Sequence, residues 1–153
     1  MDKTEDVRSA RQFLGPGYAV GVTEEMIHAV VHGFYGRIRR DPALGPIFNR
    51  VIPAEAWSTH LQKMCDFWSS VMLMSGRFHG APMPAHMRIE GLNGHHFARW
   101  LHLFGETTAE LCPPEAAALF VQKSQMIARS LQLGIAASRG EIPSISDVAL
   151  SRG

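Results

Sequence analysis

Four side chains combine polar chemistry with apolar surroundings: Tyr35, His60, His86 and Trp100. Tyr35 shares a helical stripe with Ile27, Val31 and Ile38. Trp100 shares one with Phe97, Leu101 and Phe104. A buried phenol or indole needs a hydrogen-bond partner, yet core Tyr and Trp are common, so each alone is bland. His60 heads an apolar stripe that continues through Met64, Phe67 and Val71. A single core histidine is most simply satisfied by a backbone carbonyl. His86 stands among Met83, Met87 and Ile89 and reads, on its own, as a surface or capping residue. The pair says more. The segment between their two elements is irregular, with Gly76, Gly80, Pro82 and Pro84 within nine residues. Such a stretch reaches up to ~30 Å, enough to carry the chain from one face of a flat ligand to the other. With Phe48 and the methionine-rich stripes, these residues describe an apolar pocket holding a few convergent donors, which is how a cofactor site reads.

Other chemistries fit poorly. A carboxylate di-metal bundle needs Glu-x-x-His on two helices and two further inward Glu; Glu25-x-x-His28 is the sole match. There is no Cys-x-x-Cys, and His95 and His96 are adjacent and so point apart on a helix, against a structural zinc site. Nucleophile-elbow and phosphate-cradling glycine motifs are absent.

The elements that must position these groups are helical. The nine prolines leave four proline-free windows, 17–41, 54–81, 85–112 and 115–142, each long enough for a helix. Thr23 is the N-cap of the first, with Glu24 and Glu25 in its positive first turn and Arg37, Arg39 and Arg40 at its negative end. Asp41-Pro42 breaks it. A compact connector follows, in which Pro42, Gly45 and Pro46 forbid a long helix while Leu44, Ile47 and Phe48 want burial. A second long helix is predicted over about 54–75. Its two apolar stripes, Trp57-Leu61-Trp68-Met72 and Met64-Phe67-Val71-Met74, imply packing on two sides. A short helix near Pro84 carries His86, and a further helix runs over about 95–111. The last opens at Pro113-Pro114, where a missing N–H costs nothing, and presents Phe120, Ser124, Ile127, Leu131 and Ile135 to about residue 138. No segment alternates with period two, so no strands are expected and the class is all-α. The expected organisation is an N-terminal extension over 1–20, one domain over 21–139 and a C-terminal tail over 140–153.

Length and composition agree. A chain of 153 residues with 46% hydrophobic and 19% charged residues is ordinary for one globular domain. A net charge of +1 excludes a binder that relies on a basic surplus for nucleic acid. No apolar run approaches the ~18 residues that span a membrane, and the charged start from Met1 to Asp6 does not read as a signal peptide. The two cysteines, Cys65 and Cys112, suit a reducing cytoplasm better than a disulfide framework.

Taken together, five strings resemble a known family. Phe34-Tyr-Gly-Arg-Ile-Arg-Arg-Asp41 and Leu44-Gly-Pro-Ile-Phe-Asn49 resemble the start of a truncated globin. Trp57-Ser-Thr-His-Leu-Gln-Lys-Met-Cys-Asp-Phe-Trp-Ser-Ser70 is similar to the distal helix of its group III branch. Gly76-Arg-Phe-His-Gly-Ala-Pro-Met83 with His86, and His96-Phe-Ala-Arg-Trp-Leu-His-Leu-Phe104, are similar to that branch as well. The likeness covers about residues 23–137. It departs at Phe78, Glu90, Gly94 and Ala98, where the family has other residues. The resemblance implies a two-over-two helical sandwich around one haem b. It makes His86 the proximal iron ligand, with His95 or His96 the competing choice. It makes Tyr35, His60 and Trp100 the distal groups, sets Phe48 against the haem edge and places Met64 over the iron. Phe67 and Met83 join the apolar wall, and Arg77 and Lys63 are the cations available to the haem propionates.

The activity so implied is binding of dioxygen and other diatomics, such as nitric oxide, carbon monoxide and cyanide, at a pentacoordinate iron. A phenol O–H and an indole N–H aimed at a partly negative ligand atom contribute about 1.5–3 kcal/mol each. Two such bonds slow release by roughly 10²–10⁴, which suits storage, sensing or redox chemistry better than rapid delivery. On this reading Tyr35 and Trp100 hold the ligand and His60 controls access. An enzyme reading, nitric oxide dioxygenation or peroxide reduction, needs a separate reductase, because the chain has no flavin or nicotinamide fingerprint. A third reading is a helical interaction module without haem. A monomer in the cytoplasm, with no nucleic-acid or membrane partner, is expected.

Overall fold

The computed structural model describes residues 15–80, 89 and 92–140. Within them lie five α-helices: α1 (Glu24–Arg40), α2 (Gly45–Val51), α3 (Trp57–Leu73), α4 (Gly94–Leu111) and α5 (Pro114–Ser138). Short 3-10 turns at Tyr18–Val20 and Ala54–Ala56 precede α1 and α3, and the described residues contain no strand. Helix α1 packs on α3, α4 packs on α5, and α1 crosses α4 to join the two pairs. The result is the two-over-two sandwich.

The helix ends follow local chemistry. The Thr23 hydroxyl accepts from the Met26 N–H at 3.2 Å, satisfying one orphan donor of α1. Pro114 opens α5, the one place where a helix tolerates it without loss. The connector after Asp41 does form a helix, but one of seven residues, with Pro46 in its first turn. Gly45 makes that turn feasible, since a Cβ there would stand 2.8 Å from the Arg39 carbonyl oxygen. The third helix stops at Leu73 rather than 75, because Met74 turns left-handed at φ 53°. Met74 is therefore exposed and leaves the stripe predicted for it.

Part of the expected N-terminal extension is packed. Gly15 and Gly17 are buried against the end of α3, and the Gly17 N–H donates to the Met72 carbonyl at 2.7 Å. That carbonyl is one of the last four of its helix, which have no partner inside it.

The centre is aromatic. Trp100 and Trp68 stack on Phe104 at 5.6 and 5.0 Å, with interplanar angles of 6° and 13°. Phe34 of α1 meets Trp100 and Phe104 edge-on, each at 87°. Offset stacks and edge contacts of this kind are preferred by the ring quadrupoles. The column links α1, α3 and α4 through side chains and fixes how the sandwich layers approach. No helix of the described residues is long and apolar enough to cross a membrane.

Candidate functional site

Beside this column lies a cavity of about 950 Å³, part of it open to solvent. Tyr35 of α1 and Phe48 of α2 form one side, Met64, Phe67 and Trp68 of α3 another. His96, Phe97 and Trp100 of α4 and Ile127, Ala128 and Leu131 of α5 complete it, with Ile89 and Leu92 from the chain ahead of α4. The cavity explains the two stripes of α3. Trp57, Trp68 and Met72 are buried in the core. Met64, Phe67 and Val71 are only half-buried, and the first two face the cavity. An apolar stripe left half-wet inside a sandwich indicates room for a large apolar occupant.

The expected site residues divide clearly. Tyr35, Phe48, Met64, Phe67 and Trp100 line the cavity together. His86 and Met83 fall outside the described residues. His60 is not among the lining groups. Its ring stands edge-on to Tyr35 at 5.0 Å and to Trp57 at 5.5 Å, with Nε2 shielded from solvent. Lys63 is exposed on α3 and does not line the cavity. Arg77, the other cation expected at the carboxylates of a cofactor, is engaged by the chain's own acids. Its guanidinium donates to Glu24 at 2.7 Å and reaches Asp66 at 3.4 Å. Ser69, fully buried, donates to the other oxygen of Glu24 at 2.6 Å. Arg77 thus ties the start of α1 to the end of α3.

Tyr35 is 7% exposed, and burial pushes its phenol well above the ordinary tyrosine range. Burial thus favours the protonated form, an O–H donor. Trp100 is half-buried and has only an N–H to offer. These donors sit in otherwise apolar walls, where a hydrogen bond is electrostatically stronger than in water.

Two features escaped the sequence reading. The first is Asp41, whose side chain is 3% exposed. One oxygen accepts from Arg99 at 2.8 Å, and the other accepts from the Ala43 and Leu44 N–H groups at 3.1 and 3.0 Å. Arg99 directly precedes Trp100, so this pair sets the indole relative to α1 and α2. The second is the cap on His96, a residue the sequence offered only as a competing iron ligand: its Nδ1 accepts from the Asn93 N–H at 3.2 Å in a reciprocal capping box. In the neutral ring the proton then belongs to Nε2. Spacing held the clue to His96, which is four residues before Trp100 and so on the same face. Among the described residues no three His, Cys, Asp or Glu side chains are placed to hold a metal ion.

No family model matches the chain. A curated relative does: the group 3 truncated haemoglobin ctb of Campylobacter jejuni is 33% identical over 113 residues, covering 72% of this chain and 89% of the relative. Among solved structures, the crystal structure of group III truncated haemoglobin from Campylobacter jejuni superposes with a TM-score of 0.69 at 33% identity, covering 72% of this chain and 89% of the other. An identity of that size, spread over nearly the whole relative and accompanied by the same fold, shows that this chain belongs to the group III truncated haemoglobins.

Proposed function

We propose that the chain binds one haem b in the cavity beside the aromatic column and uses it to hold dioxygen and related diatomics. The observation that carries this reading is the convergence of Tyr35 and Trp100 on a large apolar cavity in a truncated haemoglobin. The residues present fit the group: Met64, Phe67, Ile127 and Leu131 are apolar surface for a porphyrin face, and Phe48 is an aromatic wall for its edge. Haem, when bound, would supply an iron able to take up a diatomic ligand. The Tyr35 O–H and the Trp100 Nε1–H are preorganised donors toward the outer atom of such a ligand. Burial keeps the phenol protonated for that task.

His86 is the axial ligand in this proposal. The capping box supports the choice over His96. A neutral imidazole ligates through a nitrogen lone pair, whereas the Asn93 bond occupies the lone pair of His96 Nδ1 and leaves the proton on Nε2.

The test is the visible absorption spectrum of protein loaded with haem, in wild type, His86→Ala and His96→Ala. The expected result is a five-coordinate ferrous spectrum in wild type, loss of tight retention in His86→Ala, and a retained axial ligand in His96→Ala. A normal spectrum in His86→Ala together with its loss in His96→Ala would reverse the assignment.

A further inference from the structure

We propose that His96 is a further cofactor-positioning residue, whose Nε2–H, held by the Asn93 capping box, donates to a propionate carboxylate of the haem. The inference rests on the cavity being the haem site. It replaces Arg77 in that role, since Arg77 is held by Glu24 and Asp66.

Three observations carry it. First, His96 lines the cavity, where almost every neighbour is apolar. A ring polar at one edge, placed in such a wall, calls for an acceptor. Second, the ring is not free to choose its tautomer. The Asn93 N–H points at Nδ1, while the Asn93 side-chain oxygen accepts from the His95 and His96 N–H groups at 2.9 and 3.4 Å. Orientation and proton position are fixed by the same four-residue turn, Asn93 to His96, as outer hydrogen bonds fix a functional imidazole elsewhere. Third, His96 is half-buried and lies one helical turn, about 6 Å, before Trp100. The neighbouring Asn93 and His95 are exposed, so His96 belongs to the margin where the cavity wall meets solvent. A porphyrin is apolar except at its metal and its two carboxylates, and the carboxylates are the groups that keep to the wet edge. A donor at the margin therefore meets a carboxylate, and the positive end of α4, whose first turn includes His96, favours the same charge.

The experiment measures the rate of haem transfer from loaded protein to excess apoglobin, with haem b and with its dimethyl ester as probes. The variants are H96L, which removes the donor, and H96Q, which restores an N–H near the position of Nε2. Circular dichroism and the Soret band of each loaded variant report fold and axial ligation. The expected result is that H96L releases haem b roughly tenfold faster than wild type, in line with a lost hydrogen bond to a charged group. H96Q should release it within about twofold of wild type, a difference of ~0.4 kcal/mol. With the dimethyl ester, wild type and H96L should release alike. Equal release of haem b by wild type and H96L overturns the proposal. So does release from H96Q as fast as from H96L, or a difference between wild type and H96L that persists with the ester. Should H96L fail to fold, faster release of the ester than of haem b from wild type, with H96Q matching wild type for haem b, supports the assignment. Equal release of the two probes from wild type overturns it. A wild-type chain that takes up neither probe defeats the reading of the cavity itself, and is told apart from the other failures by the absent Soret band.

Discussion

Tyr35 shows how burial selects one chemistry from a residue capable of two. Its phenol has ionisation far above the ordinary value of 10.0, because the charged form would lose its hydration inside the sandwich. The sign of the linkage follows. Below the ordinary value both folded and unfolded chains keep the proton. Above it the unfolded chain sheds the proton while the folded chain holds it, so Tyr35's contribution falls as the solution becomes more alkaline. Thermal unfolding between about pH 9 and 11 should therefore show a smaller alkaline loss of Tm in Tyr35→Phe than in wild type. The same substitution, and Trp100→Phe, should each speed dioxygen release at least about tenfold, or ~1.4 kcal/mol, in stopped-flow kinetics of the haem-loaded protein. His60 belongs to a different class. Its ring lies against Tyr35 and Trp57 rather than in the cavity wall. His60→Leu should change the association rate and leave release nearly as it was. Acceleration of release by His60→Leu alone would exchange these roles.

The Asp41–Arg99 pair fastens three elements at once: the end of α1, the turn into α2 and the first half of α4. Burial alone would raise the Asp41 carboxyl. The Arg99 hydrogen bond and the Leu44 and Ala43 N–H groups outweigh it and hold the carboxyl below the usual carboxylate range. A depressed carboxyl stabilises the fold above its unfolded pKa, near 4, and that contribution is lost as the pH falls through the folded value. Asp41→Ala should cost about 1–3 kcal/mol at neutral pH, because it removes the acceptor of two backbone donors and of the Arg99 guanidinium. The difference from wild type, read by denaturant unfolding, should shrink at pH 3. This pair was invisible in the sequence: 58 positions separate its partners, and Arg99 reads as one more charge on a polar face. The helices were legible for the opposite reason. Thr23, Asp41-Pro42 and Pro113-Pro114 act on their own neighbours, and so do the stripes through Ile27 and Phe120. The break at Met74 was not legible, since nothing local distinguishes a methionine that continues a helix from one that ends it. Among the site groups, Tyr35 and Trp100 announced themselves as polar atoms on apolar faces. His96 stood only as a competing iron ligand, because its partner, Asn93, acts through a cap that spacing alone does not reveal.

At the scale of the molecule, the sandwich is closed at one end by glycine. A Cβ on Gly15 would come within 2.5 Å of the Leu73 backbone, which cannot yield as a side chain would. Gly15→Ala should therefore release the N-terminal segment from α3, lowering stability by about 1–3 kcal/mol and opening that segment to limited proteolysis. The centre of the sandwich is the stack of Trp100, Phe104 and Trp68, where Phe104→Ala should cost about 3–5 kcal/mol. The stack has an optical consequence as well. All three tryptophans of the chain gather around one cavity: Trp68 and Trp100 in its wall, Trp57 against Tyr35 and His60. A pigment that absorbs where indole emits, seated in that cavity, drains the excited state of every tryptophan by energy transfer. The empty protein should glow and the loaded one be nearly dark, so that intrinsic fluorescence alone reports how many molecules in a preparation carry their cofactor.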